Sequence, residues 1–199
     1  MLNNIILASK SKVRKYILEK HNIICDVQPS NVNEDDIKES LLNQKATPEI
    51  ISKNLAELKA NKVSLKNNEQ IVLGADSVID LEGELISKPK DREEALLILK
   101  KLNGKAHHLI SSVCISKNGS MMWNYTDKAI LKMKNLTEKE LMDYLAKIPD
   151  VALYSYNVYQ IEGEGKKLFS EITGDENTIM GLPIQKITEY LKEIKWKNT

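Results

Sequence analysis

Ile71-Val72-Leu73-Gly74-Ala75-Asp76-Ser77-Val78-Ile79-Asp80-Leu81-Glu82-Gly83-Glu84-Leu85-Ile86 is the stretch on which the fold turns. Ile71 to Asp76 is a short continuous apolar run closed by a carboxylate, the pattern of a buried strand ending at a polar group. Val78 to Ile86 continues as a hairpin that reverses at Glu82-Gly83. Downstream, Asn118-Gly119 joins two further strand-like runs, Leu109 to Ser116 and Met121 to Met133, with the strongest short-range hairpin signal. Helical patterns lie between these runs. Helices interleaved with hairpin-paired strands define an α/β protein with a mixed, partly antiparallel sheet and flanking helices, with the ligand cleft expected between two lobes.

Upstream of this stretch, the apolar run Ile5 to Ala8 passes into the polar turn Ser9-Lys10-Ser11-Lys12-Val13-Arg14, which opens a helix to about Lys20. Ile23 to Val27 is a second apolar segment, and Asn33-Glu34-Asp35-Asp36 begins another helix with the acidic first turn that suits a helix dipole. Thr47-Pro48 caps a longer helix carrying Ile50, Ile51, Leu55, Leu58 and Val63 at near-helical spacing. Toward the C-terminal side, Asp91 with Glu94 and Thr137 with Glu140 have capping-box spacing, the first helix ending at Gly104 and the second before Pro149. Strands are expected around Val158–Ile161 and Leu168–Ile172, with a closing helix from about Pro183 to Ile194. No repeat or low-complexity linker interrupts the chain, so 1–199 reads as a single domain.

The 199 residues include 29 Lys+Arg and 28 Asp+Glu, for a net charge of +1. Near-neutral charge gives no strongly basic face of the kind selected by a nucleic-acid polymer or an anionic membrane, so a nucleic-acid-like ligand should be small. No window approaches the ~18 uninterrupted apolar residues of a membrane span, and Met1-Leu2-Asn3-Asn4 lacks the basic and apolar regions of a secretion signal. Cys25 and Cys114 have no nearby Cys or His partners, which argues against a zinc site or a disulfide framework. A reduced, cytoplasmic setting is expected.

Three short segments carry polar chemistry. Ser9 to Arg14 brings two hydroxyls, a guanidinium and the free N–H groups of a helix start together, which suits phosphate, although an ordinary helix N-cap with solvated lysines explains the same residues. Asp76 could orient or deprotonate a water or hold a divalent ion, or cap its own turn. Lys88 and Lys90, flanking Pro89, suit a polyphosphate, and equally a solvated loop. Glu34-Asp35-Asp36 could offer a metal-facing oxygen or serve the helix dipole. His107 and His108 read as structural or exposed. Tyr154, Tyr156 and Tyr159 alternate as strand residues that fit core packing better than stacking on a base.

Leu7-Ala8-Ser9-Lys10-Ser11-Lys12-Val13-Arg14, Gly74-Ala75-Asp76, Lys88-Pro89-Lys90-Asp91, Gln160-Ile161-Glu162-Gly163 and Gly181-Leu182-Pro183 occur in the order and approximate spacing of one family. Through these five motifs the sequence resembles the Maf/septum-formation-inhibitor family over nearly its whole length. The resemblance implies two lobes around an elongated cleft, an architecture related to the inosine triphosphate pyrophosphatases, and a housecleaning hydrolase that splits nucleoside triphosphates into monophosphate and pyrophosphate with Mg²⁺ or Mn²⁺. It further implies Asp76 as proton acceptor, Ser9, Ser11, Arg14, Lys59 and Lys88 as phosphate-binding residues, and Glu34 with Asp76 at the metal or water. Val13, Ser77 and Glu162 fall at positions that distinguish the family's branches. Its dTTP/UTP branch typically has Arg, Thr and Gln there, and its 7-methyl-GTP branch an aromatic, another polar residue and Glu, so only Glu162 agrees with the latter. Lys12 replaces the usual proline of the first motif. A nucleotide-binding regulator of septum formation without turnover is the alternative from another class, and a homodimer is left open. A single-stranded RNA-binding module using the tyrosines ranks last, for want of positive charge.

Overall fold

Strand β3 (Val72–Leu81) runs through Asp76 instead of ending at it. The computed structural model describes residues 4–150, 153 and 158–196. Asp76 meets open space because its neighbours stop. Strand β1 (Ile5–Leu7) lies parallel to the first residues of β3, Ile6 beside Val72 and Leu7 beside Leu73. Strand β4 (Glu84–Ile86) pairs antiparallel with the last, from Ile79 beside Ile86 to Leu81 beside Glu84. The long strand β5 (Ala106–Lys117) occupies the opposite edge of β3 from Val72 to Asp80. Among the described residues, 74–78 therefore have a strand neighbour on one edge only, and the sheet is split on the other.

Around this split the sheet is mixed. Strand β2 (Cys25–Val27) pairs parallel with β1, while β6 (Ser120–Met133) and β7 (Phe169–Thr173) extend the antiparallel side, giving the order β2-β1-β3-β5-β6-β7 with β4 on β3. Asn118 and Gly119, at φ 51° and 79°, supply the two left-handed residues of the tight β5–β6 turn.

Side chains alternate across β3, and the two faces differ. On one face Gly74 and Asp76 lie under helix α3 (Pro48–Ser64), which Thr47 caps by accepting from the Ile50 N–H. Ala56 and Ala60 of α3 pack with Cys114, and Val63 with Ile6, Ala8 and Val72. The other face carries two separate apolar cores. Leu73 and Ala75 join Ile17 and Leu18 of α1 (Lys12–Lys20) and residues such as Ile187 of the C-terminal helix. Ile79 and Leu81 join Leu99 of α4 (Arg92–Leu102) and Leu145 of α5 (Glu138–Lys147). Ser77 stands between them, so one strand serves two lobes.

Helix α2 (Glu34–Asn43) starts where the acidic turn predicts and has no buried residue, while Thr137 and Glu140 form the complete capping box. The Asp91 box is only half formed: Asp91 accepts from the Glu94 N–H, but the Glu94 carboxylate takes the Lys90 N–H. After a 3₁₀ turn at Glu164–Leu168 and β7 come a single-turn helix α6 (Glu176–Ile179) and helix α7 (Ile184–Trp196). Among the described residues no helix is long and apolar enough to cross a membrane.

The strand expected around Val158–Ile161 does not form. Side-chain bonds and close packing shape this segment instead of a ladder. Tyr144 Oη donates to the Val158 carbonyl at 3.1 Å, the Gly163 N–H turns back to Gln160 O at 3.3 Å, and a Cβ on Gly165 would fall 2.4 Å from Gln160 O. Tyr159 is a core residue that also walls the cleft, its Oη 2.7 Å from His107 Nε2. Tyr154 and Tyr156 lie outside the described residues.

His107 is 1% exposed, and burial, with a smaller contribution from neighbouring His108, pushes its pKa down from 6.5 to about 4. The fold therefore holds the neutral ring, and the unfolded chain takes up the proton first as pH falls. The resulting stabilisation is complete above about pH 6.5 and is lost between there and about pH 4, an effect of roughly 3 kcal/mol. Urea unfolding at pH 7 and pH 4.5 should show this loss, and replacing His107 by Gln should flatten it. An equal pH slope in the two proteins would contradict the assignment.

Candidate active site

The cleft of about 540 Å³ opens at the split in the sheet and is lined by the Ser9–Lys12 turn, Arg14, Glu34, Lys38, Lys59, Asp76, Ser77, Lys88, the Tyr159–Glu162 turn and Gly181. Its floor is Asp76. Gly74, two residues earlier on the same face of β3, brings α3 close: a Cβ there would lie 2.2 Å from Ala56 O and 2.7 Å from Ala60 N. That close approach carries Lys59 down to Asp76, with Nζ donating to Oδ1 at 2.8 Å. The same ammonium reaches Glu34 Oε1, also at 2.8 Å, and so ties the first turn of α2 to the centre of the sheet. Asp76 is 5% exposed, and its Oδ2 has no hydrogen-bond partner among the described residues. A carboxylate oxygen buried in this way is costly unless a ligand completes it.

Cations dominate the rim. Burial alone would raise the Glu34 pKa, but Lys59, with Lys38 and Lys88, holds it below the usual carboxylate value. Lys88 stands at the mouth, open to solvent along part of its length. Burial of its ammonium end lowers its pKa against the pull of Glu34, and Arg14 adds to the lowering.

Arg14 fastens the site together. Its Nη1 donates to the Ala75 carbonyl at 3.0 Å, a group left without a strand partner by the early end of β1, and to Ser9 Oγ at 3.2 Å. Nη2 donates to Ser77 Oγ at 3.0 Å and Nε to Gly181 O at 2.9 Å. Ser11 is the N-cap of α1, accepting from the Arg14 N–H at 3.3 Å, so the capping and cleft-lining readings of the first motif hold together.

Ser9, Ser11, Arg14, Glu34, Lys59, Asp76, Ser77 and Lys88 thus converge on one cleft, with Glu162 exposed on the turn at its edge. Val13 does not join them: it packs against the core between α1 and α7. Lys90 is exposed and does not line the cleft. Lys38 was missed by the sequence reading, although it lies one helical turn after Glu34 and its Nζ is 3.8 Å from Glu34 Oε2. Ser52, whose hydroxyl donates to the Asp76 carbonyl at 3.2 Å, was also missed. Its signal was a polar residue beside the apolar stripe of α3. Among the described residues no three His, Cys, Asp or Glu side chains form a metal-holding group.

Residues 4–194 match the family described as "Maf-like protein". The chain belongs to this family. It is 72% identical over 195 residues, covering 98% of this chain and 100% of the relative, to a protein of Pelagibacter ubique (strain HTCC1062) named nucleoside triphosphate pyrophosphatase. It is 35% identical over 195 residues, 98% of each chain, to a 7-methyl-GTP pyrophosphatase of Brucella abortus biovar 1 (strain 9-941). A crystal structure of a dITP/XTP pyrophosphatase from Mycobacterium abscessus aligns with a TM-score of 0.40 and 13% identity, over 67% of this chain and 74% of that one.

Replacing Gly74 by Ala should force α3 off the sheet, because the added methyl meets backbone and not a flexible side-chain tip. A loss of about 1–3 kcal/mol is expected in urea unfolding, as Lys59 is drawn away from Asp76. An unchanged unfolding midpoint would contradict the role given to this close approach.

Proposed function

We propose that the protein is a nucleoside triphosphate pyrophosphatase in which Asp76 activates a water for attack on the α-phosphorus. The observation that carries this reading is the buried Asp76 carboxylate, with Oδ1 fixed by Lys59 and Oδ2 unpartnered at the floor of a lysine-rimmed cleft. Lys59 leaves Oδ2 as the atom that can take the water's proton. As the water oxygen bonds to the α-phosphorus, the bond from that phosphorus to the α–β bridging oxygen breaks, and pyrophosphate leaves the nucleoside monophosphate. Charge develops on the non-bridging and leaving oxygens. Lys88, Lys38, Lys10 and Lys12 are placed to offset it, the Ser9–Ser11 turn offers the start of α1 to the phosphates, and Arg14 keeps that turn in register with β3. General-base help from Asp76 contributes on the order of 10²–10⁴-fold.

The donor set fits a divalent cation that arrives with the triphosphate. Glu34 would hold Mg²⁺ or Mn²⁺ directly as a hard oxygen ligand and Asp76 Oδ2 through a water, with the remaining positions left to phosphate. Bound there, such an ion supplies charge neutralisation at the phosphates. The Tyr159–Glu162 turn at the other wall is the base-binding side, where the Glu162 carboxylate can accept from the donor edge of a purine. The name of the Brucella relative makes a methylated guanine nucleotide a substrate to include, although Val13 brings no aromatic ring to the cleft for stacking. In this reading the protein serves cytoplasmic housecleaning of free nucleotides, and the sheet that runs through both lobes makes them one unit.

Purified protein with Mg²⁺ or Mn²⁺ should release pyrophosphate and monophosphate in equal amounts from one or more of the standard triphosphates, ITP or 7-methyl-GTP. Asp76→Asn should lower kcat by on the order of 10²–10⁴ with the fold retained. Undiminished turnover in that variant would overturn the mechanism, and tight binding without any release would favour a nucleotide-binding regulator. Glu162→Gln should reorder the bases by kcat/KM more than it changes kcat on the best one. An unchanged ranking would remove Glu162 from base selection.

A further inference from the structure

Between the two apolar cores, a row of polar side chains crosses three strands where the alternation calls for apolar ones. Ser77 on β3 lies beside Ser111 on β5, and Ser111 beside Asp127 on β6. All three belong to the face that carries Ile79 and Leu131 on one side and Leu73 and Val113 on the other. The row is closed by Thr178 of α6, which, like Ser111, is fully buried. Ser77 Oγ and Ser111 Oγ are 2.9 Å apart, Ser111 Oγ donates to Thr178 O at 2.7 Å, and Thr178 Oγ1 donates to Asp127 Oδ2 at 2.7 Å.

The direction of these bonds follows from counting protons. Ser111 has one hydroxyl hydrogen, and the Thr178 carbonyl, which can only accept, takes it. Ser77 must therefore donate to Ser111, which leaves the Ser77 oxygen turned as an acceptor toward Arg14 Nη2 at 3.0 Å. Three residues beyond Thr178, Gly181 accepts from Arg14 Nε, so the path leaves the guanidinium through Ser77 and returns to it through α6. The loop is tight: Gly181 has φ 96°, and a Cβ there would lie 3.0 Å from Ser77 Oγ and 3.3 Å from the guanidinium. A hydrogen-bond chain that is buried at its centre and satisfied throughout has one arrangement, whereas a broken one leaves its members free to turn.

We infer that the Ser77–Ser111–Thr178–Asp127 chain is a positioning device for Arg14, with Ser111 as the residue that sets its polarity. Ser77 then acts on the nucleotide through Arg14, because its proton is committed to Ser111. The consequence for turnover rests on the pyrophosphatase reading, whereas the consequence for the guanidinium does not.

Ser111→Ala removes one oxygen from a buried site, and Ser116→Ala, whose hydroxyl on the same strand serves Asn61 of α3, is the matched control. In ligand-free protein, ¹⁵N spectra should show the Arg14 Nε–H exchanging at least several-fold faster in Ser111→Ala and unchanged in Ser116→Ala. Unaltered exchange in Ser111→Ala would overturn the inference whatever the enzyme does. For pyrophosphate release, Ser111→Ala should lower kcat/KM about tenfold when Arg14 is present and less than about twofold in an Arg14→Ala background, the non-additivity of groups that act as a unit. Equal losses in both backgrounds would mean a merely structural role. Should the wild-type protein release no pyrophosphate from any triphosphate, the enzymatic reading falls, and the exchange rates still decide whether the chain positions Arg14.

Discussion

A single ammonium, Lys59 Nζ, lies 2.8 Å from two carboxylates contributed by different parts of the chain. Lys59 and Asp76 are both only 7% exposed at the side chain, so neither charge is solvated well by water. Pairs of this kind are retained despite a desolvation cost that often cancels their attraction. What the pair supplies here is placement. Lys59 fixes one oxygen of Asp76, holds Glu34 against the sheet and leaves two carboxylates sharing one cation, an excess of negative charge that Lys38 and Lys88 offset from the rim. The site is therefore assembled around a buried carboxylate with one oxygen fixed and one unpartnered among the described residues, with positive charge at its rim.

That arrangement depends on a defect in the sheet. A continuous ladder along both edges of β3 would fill the gap beside Asp76 with a neighbouring strand and close the cleft. The early ends of β1 at Leu7 and of β4 at Ile86 leave residues 74–78 paired on one side only, and Arg14 takes up the stranded Ala75 carbonyl. The same gap divides the apolar face into two cores with Ser77 between them. The cleft, the carboxylate at its floor and the lobe boundary are consequences of one interruption, and the small residue Gly74 is what lets α3 close over it.

Much of this was legible beforehand, for physical reasons that differ by element. The hairpin at Asn118-Gly119 and the caps at Thr47 and Thr137 are local, so a few residues suffice to specify them. The mixed sheet followed from hairpins set among helices. Asp76 was placed in the cleft for the wrong local reason, as a strand end, because where β1 and β4 stop is a long-range property of pairing. The Val158–Ile161 turn reads as a strand because Val158, Tyr159 and Ile161 are buried, and burial without a ladder leaves the same sequence pattern. Lys59 entered through resemblance alone, yet its own signal is present: with Ile51, Leu55 and Val63 it shares a four-residue spacing, and an ionisable group on a buried stripe needs a partner. Ser111 carries the same kind of signal, a hydroxyl inside the apolar run from Leu109.

Turnover in ¹⁸O-labelled water tests the central claim most directly, since it reports which phosphorus the water attacks. If Asp76 directs attack at the α-phosphorus, one ¹⁸O atom should appear in the nucleoside monophosphate and none in the pyrophosphate. Label in the pyrophosphate, or release of labelled orthophosphate with a nucleoside diphosphate, would contradict the account.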